Sequence, residues 1–402
     1  MGTRDEIAAT SGSCLALKNT YLKTLKHTNE TINYGMIQMS GGNFSMDYDQ
    51  ERMYFRGHCI EYDVSDMFQM MVDCALEPRS VLAANVARAK NTKSHELADH
   101  LAKFDPFFSN QELLLRTAFG YNTLGMPKLG TAGGVDNIDA RSLQQFMMEN
   151  ITPKKCLIVG GGVHNHNEFV DLVKERIGEI LPVPEHAYER QAAQYIGGEY
   201  RSWSESPQTN ITLAFESAPW NSEDVFPSFV AATLLGNANS SQRNQPGHGR
   251  YNRASENLVQ KHNFVDRANA VNHHFSDTGL FGISVEGPGA NSEDLMRAAV
   301  EELHGLTRHI SDEELQRAKN QLKMEIALNS GDHSNRLEEA ARNYMTHGHL
   351  TFHQYANKID SVSADDVNRY VSRVLESKPT LLVTGGAINL VPSVSDVQRM
   401  LN

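Results

Sequence analysis

The sequence predicts an α+β protein built from two homologous domains, each a mainly antiparallel sheet with helices packed on one face. Two observations predict this class: a pattern of elements that recurs in the second half, and a globular composition. Of the 402 residues, 40% are hydrophobic and 21% are charged, as in a folded chain. Since this length exceeds one ordinary domain, we place the N-terminal domain at residues 1–190 and the C-terminal domain at residues 191–402.

The clearest repeat is a helix followed by a short apolar strand. A helix with an N-cap residue and apolar positions at helical spacing begins near Ile138. The same pattern begins near Val362, at an offset of 362 − 138 = 224 residues. A turn containing lysine and proline follows each helix, and short strands are then predicted at residues 156–161 and 381–386. Two halves that match in the same order indicate an internal duplication.

Upstream of this pattern, each half has a strand followed by a helix. The strands are predicted at residues 51–57 and 278–285, and the helices at residues 67–76 and 294–306. Such an order is typical of helices lying on one face of an antiparallel sheet. Prolines and polar residues interrupt the pattern near residues 185–200, where we place the domain boundary.

A further helix is predicted in the second half, from Ser311 to Leu328. Ser311 and Glu314 have the spacing of a capping box, in which the serine caps the helix and the glutamate returns the bond. Apolar residues then recur at helical spacing, so one face of this helix is expected to be packed against the core.

The charge and the cysteine content exclude several classes of protein. Lys plus Arg number 37 and Asp plus Glu number 49, which gives a formal net charge of −12. This charge argues against a general nucleic-acid binder and suits a basic polypeptide partner, although many proteins are this acidic for solubility alone. The four cysteines form no CxxC pair, which favours a reducing compartment over a disulfide framework. No apolar run is long enough to span a bilayer.

Two pairs of histidines superficially suggest metal sites. His95 and His100 are five residues apart, so on a helix they would diverge by about 140°, whereas a zinc pair needs positions i and i+4. His273 and His274 are adjacent on a predicted strand and therefore point to opposite faces. Phosphate-binding GxxxxGK[ST] and nucleophile GxSxG motifs are also absent. The sequence therefore predicts neither a metal site nor a cofactor.

Several segments, together with the duplication, resemble the pitrilysin and insulinase-type metallopeptidase family, and in detail its alpha-type subunits. They are Gly41–Ser45, Tyr195–Glu199, Asp277–Phe281 and Glu314–Leu322. The resemblance covers nearly the whole chain. It implies that both predicted domains have the metallopeptidase-like fold of the family.

The zinc motif of the family's catalytic members has no counterpart in this chain. Those members carry His-x-x-Glu-His, in which two histidines bind zinc and the glutamate lies beside the metal-bound water. The motif precedes an element that Lys18–Thr20 resembles, so counting back places Thr10, Ser13 and Cys14 at its three positions. These side chains cannot replace two imidazoles and a general base. We therefore expect no zinc and no independent peptidase activity. The hypothesis of a stand-alone zinc peptidase is disfavoured, because it needs ligands that this sequence lacks.

Alpha-type subunits of the family also carry a glycine-rich loop that contacts the substrate's presequence. The corresponding stretch runs from Gly236 to Arg253, and its first part has Asn, Ala and Gln where glycine is usual. Ala and Gln adopt positive φ less readily than glycine, so the loop is expected to be less mobile than in the family. Two interpretations stay open: a loop that binds substrate, and a surface loop without a remaining role. The candidate substrate-binding residues are Gly236, Pro246, Gly247, His248, Gly249, Arg250, Tyr251 and Arg253.

The start of the chain differs from the family pattern. Members of the family normally have strands before the zinc-site helix, and Gly2–Arg4 already resembles the end of the last of them. We therefore expect the N-terminal domain to be short of sheet. A neighbouring chain would then cover its exposed edge, or the start is incomplete.

The resemblance implies a subunit that does not itself catalyse a reaction. The first expectation is a core subunit of respiratory complex III (ubiquinol–cytochrome c reductase), on the matrix side of the mitochondrial inner membrane. Its partners would be a beta-type subunit (core subunit 1) and other complex III subunits. The alternative is an alpha subunit of a processing peptidase in the mitochondrial matrix that recognises basic presequence peptides, and one subunit can combine both roles. No nucleic-acid partner is expected, and the membrane is contacted only through the complex.

Overall fold

The structure is a computed structural model. It describes residues 1–22, 41–77, 83, 85–87, 106–180, 190–242, 251–348 and 351–401. Helices and strands are mixed along the chain, which confirms the predicted α+β class. The chain divides into two units. Unit 1 contains Met1–Glu112 and Gly120–Ala192, and unit 2 contains Leu113–Phe119 and Ala193–Asn402.

Unit 1 is described from its helices and one hairpin. Its elements are α1 (Ser13–Thr20), β1 (Asn43–Tyr48), β2 (Met53–His58), α2 (Val64–Ala75), α3 (Pro106–Phe119, which ends in unit 2), α4 (Ala132–Asn137), α5 (Ala140–Asn150) and α6 (His166–Ile180). β1 and β2 pair antiparallel. Alternate residues of β1 are buried, as the period of a half-buried strand requires.

The core of unit 1 lies between this hairpin and helices α1 and α5. Cys14 and Leu17 of α1 pack with Met46 of β1 in one cluster, to which α5 contributes Leu143. α5 begins with a complete capping box. Asp139 accepts a hydrogen bond from the Ser142 amide at 2.7 Å, and the Ser142 hydroxyl accepts one from the Asp139 amide at 2.9 Å. Such a cap stabilises a helix by about 1 kcal/mol.

Unit 2 contains the larger sheet. Its elements are β3 (Gly198–Trp203), β4 (Gln208–Ser217), α7 (Val225–Leu235), β5 (Asn237–Asn239), β6 (Arg267–His274), β7 (Gly279–Pro288), α8 (Ser292–Gly305), α9 (Asp312–Asn329), α10 (His333–His347), α11 (Phe352–Ser361), α12 (Ala364–Leu375), β8 (Thr380–Gly385) and α13 (Val394–Leu401). The strand order is β3-β8-β4-β7-β6-β5. β3 and β8 run parallel, and the other neighbouring pairs run antiparallel.

β4 is a central strand that pairs on both sides. Leu213 lies opposite Ile283 of β7 and opposite Leu381 of β8. A Cβ atom at Gly282 would meet the Leu213 carbonyl oxygen at 2.0 Å, so glycine allows the close approach of β7. Ile211, Leu213 and Phe215 are fully buried, and each such side chain stabilises the fold by about 2 kcal/mol.

The helices over this sheet follow the predicted patterns. α12 begins with a complete capping box formed by Ser363 and Asp366, which is the counterpart of the box that begins α5. The hairpin of β6 and β7 is likewise the counterpart of the hairpin of β1 and β2. These shared elements, in the same order, confirm the internal duplication.

The predicted capping box of α9 forms only in part. Ser311 caps the helix by accepting a hydrogen bond from the Glu314 amide at 3.3 Å. The Glu314 carboxylate does not return the bond, because it accepts from the Arg253 guanidinium at 2.6 Å instead. A charged donor forms a stronger hydrogen bond with a carboxylate than an amide does.

The segment Tyr195–Glu199 is held within unit 2 by specific hydrogen bonds. The Tyr195 hydroxyl donates to the Lys378 carbonyl oxygen at 2.6 Å. The amide of Ile196 donates to the carbonyl oxygen of Ala118 at 2.8 Å. These contacts connect the start of β3 with the end of α3 and the start of β8.

The prediction of a strand at residues 156–161 is wrong. The equivalent strand in unit 2, β8, lies between β3 and β4 and bonds to both. Residues 156–160 pair with no strand among the residues that the structure describes. An apolar sequence is not sufficient for a strand, because its amides and carbonyls also need neighbours.

No helix within the described residues is long and apolar enough to cross a membrane. This finding agrees with the absence of a long apolar run in the sequence.

His274, at the end of β6, is buried and hydrogen-bonded on both ring nitrogens. Its Nδ1 lies 2.8 Å from the Ala218 carbonyl oxygen, and its Nε2 lies 2.8 Å from the Ser228 hydroxyl. A carbonyl oxygen only accepts, so Nδ1 carries the proton, and Nε2 shares the one proton of the Ser228 hydroxyl with the Val225 carbonyl oxygen, which lies 2.7 Å from that hydroxyl. Burial is the main cause that lowers the pKa of His274 to about 4.

We expect acid to destabilise the protein through His274. The unfolded chain binds a proton at its ordinary pKa near 6.5, whereas the folded chain binds it only near 4. The free energy of unfolding should therefore fall by about 2 kcal/mol as the pH drops from 6.5 to 5. Denaturant unfolding of the wild-type chain, of His274→Gln and of the exposed control His353→Gln tests this. The His274→Gln curve should be flatter with pH, and three parallel curves would contradict the assignment.

Candidate functional site

The region at the N-terminus of α1 contains Thr10, Ser13 and Cys14, the positions predicted from the resemblance to correspond to the zinc motif. Ser13 and Cys14 are buried, and Thr10 is partly buried. The Ser13 hydroxyl donates to the Thr10 carbonyl oxygen at 2.7 Å. The carboxylate of Glu6, also buried, accepts hydrogen bonds from the amides of Gly12 at 2.6 Å and Cys14 at 2.7 Å. A carboxylate is favourable at a helix N-terminus, where it satisfies free amides.

The chemistry of this region is that of a buried helix cap. Burial, followed by the charge of Glu6, raises the pKa of the Cys14 thiol, so the thiol stays protonated and is a poor ligand and nucleophile. The described residues contain no group of three or more His, Cys, Asp or Glu side chains that could hold a metal ion. The pair His95 and His100 lies outside the described residues.

The predicted glycine-rich stretch is described at its two ends. Gly236 follows α7, and Tyr251 and Arg253 precede a short π-helical segment. The remaining candidate residues lie outside the described part of the chain. They are Pro246, Gly247, His248, Gly249 and Arg250.

Gly236 has a conformation that favours glycine. Its φ is +70°, and a Cβ atom would lie 2.3 Å from Cγ of Asn252. The Asn252 side chain donates to the Asn237 carbonyl oxygen at 3.2 Å and accepts from the Ser255 amide at 2.8 Å. The two ends of the stretch are therefore fastened to each other, and Gly236 allows this close contact.

Arg253 is buried in an ion pair. Its guanidinium donates to both carboxylate oxygens of Glu314, at 2.6 and 3.1 Å, and lies 4.0 Å from Glu302. The side chain thus fastens the end of the stretch to the start of α9. Of the three described candidates, Tyr251 presents the exposed side chain, with 59% of its surface accessible.

A groove with a volume of about 1880 Å³ opens beside this stretch. Gly236, Asn237 and Asn252 contribute to its lining, with further residues from α7, β6, α9 and α10. α9 presents Met324 and Leu328 as exposed apolar side chains, 60% and 67% accessible. α10 contains no buried residue. The glycine-rich stretch therefore begins and ends at the rim of a large open groove.

The groove is acidic. It is lined by the carboxylates of Asp312, Glu313, Glu325, Glu338 and Glu339, and by the guanidinium groups of Arg317 and Arg342. Both guanidinium groups stack on aromatic rings, since Arg342 lies 5.0 Å from the Trp220 ring and Arg317 lies 5.7 Å from the Tyr251 ring. Carboxylates beside exposed apolar residues suit a basic, amphipathic segment of polypeptide.

No sequence pattern predicted this groove. Asp312 and Glu313 follow the predicted cap of α9, but acidic residues are common in a first helical turn for stability alone. The carboxylates of α10 carried no pattern that pointed to a site. Only the packing of α9 and α10 brings these groups to one groove.

Comparisons with known proteins agree with the sequence analysis. A family model described as "Peptidase M16 inactive domain" matches residues 137–322. Mitochondrial-processing peptidase subunit alpha of Caenorhabditis elegans is 26% identical over 378 residues, which cover 88% of this chain and 72% of that protein. A probable mitochondrial-processing peptidase subunit beta of Arabidopsis thaliana is 24% identical over 406 residues, covering 99% and 75%.

The fold is also similar to a solved structure. A chain of "Complex III2 from Candida albicans, Inz-5 bound" has a TM-score of 0.82 and 20% sequence identity, covering 100% of this chain and 92% of that chain. At this identity the likeness establishes the fold. Together, the comparisons confirm the resemblance to inactive, alpha-type members of the M16 peptidases.

We expect Gly236→Ala to destabilise unit 2 by about 2 kcal/mol. Alanine is strained at positive φ, and its Cβ would displace Asn252 and the bonds that this side chain makes. The midpoint of denaturant unfolding measures the effect. Gly178→Ala in α6 is the matched control, because no atom lies near a Cβ at that position, so the change should be neutral or stabilising. Equal midpoints for the two variants would contradict the role given to Gly236.

Proposed function

We propose that this chain is a non-catalytic, alpha-type core subunit of mitochondrial respiratory complex III, paired with a beta-type subunit on the matrix side of the inner membrane. The observation that carries the proposal is the likeness to a chain of complex III from Candida albicans, which extends over 100% of this chain. The curated relatives named above are mitochondrial-processing peptidase subunits, which supports a mitochondrial location.

The absence of catalysis by this chain is supported by the N-terminus of α1. Thr10, Ser13 and Cys14 supply hydroxyls and a neutral thiol where a zinc peptidase needs imidazoles and a general base. Glu6 is engaged by two backbone amides and is not placed to activate a water molecule. Any peptidase activity would therefore reside in the beta-type partner.

A second candidate function is recognition of presequences as the alpha subunit of a processing peptidase. The acidic groove beside the glycine-rich stretch favours it, because presequences are basic and amphipathic. Met324 and Leu328 offer contacts for the apolar face of such a helix, and Glu325 offers one for its basic face. The two functions are compatible in one subunit.

Gentle detergent extraction of mitochondria distinguishes the two functions. The chain is followed by native gel electrophoresis and mass spectrometry. Co-migration with cytochromes b and c1 is the result expected for a core subunit of complex III. Recovery in the soluble matrix fraction with one beta-type subunit would overturn that proposal and leave the processing peptidase.

We expect the purified chain to contain less than about 0.1 zinc per molecule, because two hydroxyls and one buried, protonated thiol do not form a zinc site. Elemental analysis of the chain after separation from its partner measures this content. Cys14→Ala is a useful control, since removal of the thiol should leave the content unchanged. A content near one zinc per chain would contradict the proposal.

We expect charge reversal in the groove to weaken presequence processing if the second function operates. Glu313→Lys together with Glu325→Lys should lower kcat/KM for a basic presequence by about tenfold, mainly through KM, when the chain is assembled with its beta-type partner. Glu301→Lys on α8 is the matched control, because Glu301 is exposed and does not line the groove. Equal rates for the double variant and the control would exclude the groove from presequence binding.

A further inference from the structure

The buried carboxylate of Glu302 lacks a hydrogen bond on one of its oxygens. Glu302 lies on α8, and 8% of its side chain is exposed. Its Oε1 atom has no hydrogen-bond partner among the residues that the structure describes. Nε of Arg253 is 4.0 Å from this atom, which is beyond the range of a hydrogen bond. A buried carboxylate oxygen without a donor is unfavourable, so a new bond to Glu302 would release free energy.

The guanidinium that could serve Glu302 is bound to another carboxylate. Arg253 donates to both oxygens of Glu314 on α9, at 2.6 and 3.1 Å. Burial is the main cause that raises the pKa of Glu302, as expected for a carboxylate that has lost water and gained few donors. One buried guanidinium thus lies between carboxylates on two helices and forms hydrogen bonds with only one of them.

A second donor is available to Glu314. This residue occupies the third position of α9, where a glutamate ordinarily accepts a hydrogen bond from the amide of the N-cap residue, here Ser311. Arg253 prevents that bond by holding the carboxylate. If the guanidinium turned to Glu302, the Glu314 carboxylate would be released to complete the cap. A single movement would therefore provide a donor for each carboxylate.

Gly305, at the end of α8, leaves space beside the guanidinium. A Cβ atom at this position would lie 3.2 Å from Nη1 of Arg253 and 3.8 Å from Oε1 of Glu302. Any side chain here would crowd both groups. The glycine therefore allows the guanidinium to approach Glu302 from the position that it has in the structure.

The segment directly after Arg253 is a π-helix, Ala254–Val259. The amide of Gln260 donates to the carbonyl oxygen of Ser255, five residues earlier, at 3.0 Å. Such a wide turn holds more residues than an α-helical turn, and π-helical turns are frequent at functional sites. A change to α-helical turns would move Arg253 by one residue position, which is a shift of about 1.5 Å and a rotation of about 100°.

We propose that Arg253 is a switch with two positions, in which its guanidinium pairs either with Glu314 on α9 or with Glu302 on α8. The π-helical segment takes up the movement by changing to α-helical turns. In the position that the structure shows, Glu314 is bound and Glu302 lacks a donor. In the other position, Glu302 is bound and Glu314 accepts from the Ser311 amide. The exchange replaces one charge-assisted pair with another, so neither position gives up its ion pair.

The exchange would reach the acidic groove of unit 2. Asn252 lines the groove, directly precedes Arg253 and holds Asn237 at the other end of the glycine-rich stretch. A shift of Arg253 therefore displaces the rim of the groove. A ligand that contacts the rim in only one of the two positions would shift the population toward that position. The inference does not depend on which ligand the groove binds, and it does not rest on the proposed function.

The crystal structure of the full chain with Glu314→Gln tests the proposal. Without the charge of Glu314, the guanidinium should move to within about 3.0 Å of Oε1 of Glu302, and Ala254–Val259 should become α-helical. Glu313→Gln is the matched control, since Glu313 is exposed beside Glu314 on α9, and it should leave both features unchanged. A guanidinium that stays beside position 314 in the Glu314→Gln variant, with the π-helix intact, would overturn the proposal.

Nuclear magnetic resonance of the wild-type chain gives an independent measurement. Exchange between two positions should broaden the Nε resonance of Arg253 in relaxation-dispersion experiments, or split it in two. Arg201 is the internal control, because its guanidinium donates to the backbone carbonyl oxygens of Ile388 and Pro392 and should show one state. A single Arg253 resonance without an exchange contribution would overturn the proposal.

The same measurement on Glu302→Leu identifies the second partner. This change removes the acceptor on α8, so the exchange contribution at Arg253 should fall at least tenfold. Equal exchange in Glu302→Leu and the wild-type chain would overturn the assignment of Glu302. Since the wild-type measurement needs no variant, a folding defect in Glu314→Gln or Glu302→Leu cannot hide a negative result.

Discussion

The pairing of β4 with two neighbours is the constraint on which unit 2 depends. A strand that is hydrogen-bonded to a neighbour on each side has its register fixed by both neighbours. A shift by one residue would turn its buried side chains to the opposite face of the sheet. Because the register holds, Leu213 and Phe215 stay in the core. α12 is secured over the sheet in part by the bond between Tyr370 and Ser217, at 2.6 Å. The positions of α7 and β6, which line part of the groove, follow from this arrangement.

Local chemistry explains why much of the fold could be predicted from the sequence. The start of α12 was predictable because Ser363 and Asp366 form a cap within a few residues, and its apolar residues recur at helical spacing. One strand of each hairpin was predictable from its sequence pattern, at residues 51–57 and 278–285. What failed depends on distant partners. Residues 156–161 have the composition of a strand, but the described part of the chain offers them no strand to pair with. The Glu314 side chain is bound by Arg253, 61 residues away along the chain.

The candidate site, too, could be predicted from the sequence only in part. Resemblance located the glycine-rich stretch, but it could not distinguish residues that face solvent from those that hold the stretch in place. The structure assigns Gly236 and Arg253 to the second kind, since one permits a close backbone contact and the other is buried beside Glu314. Tyr251 is of the first kind. The acidic groove was not predictable, because its carboxylates belong to helices whose proximity depends on tertiary packing.

The Glu6 cap has a consequence for any attempt to reinstate a metal centre. Restoring histidines at positions 10 and 14 would introduce two imidazoles into a region where Ser13 and the backbone are already engaged. The Glu6 carboxylate would still occupy the amides at the start of α1. A metal centre would therefore have to be built against a stable alternative, and it would need simultaneous changes in the cap and in the ligands. The proposed inactivity would in this sense be a property of the folded helix terminus, and not only of the side chains at the three positions.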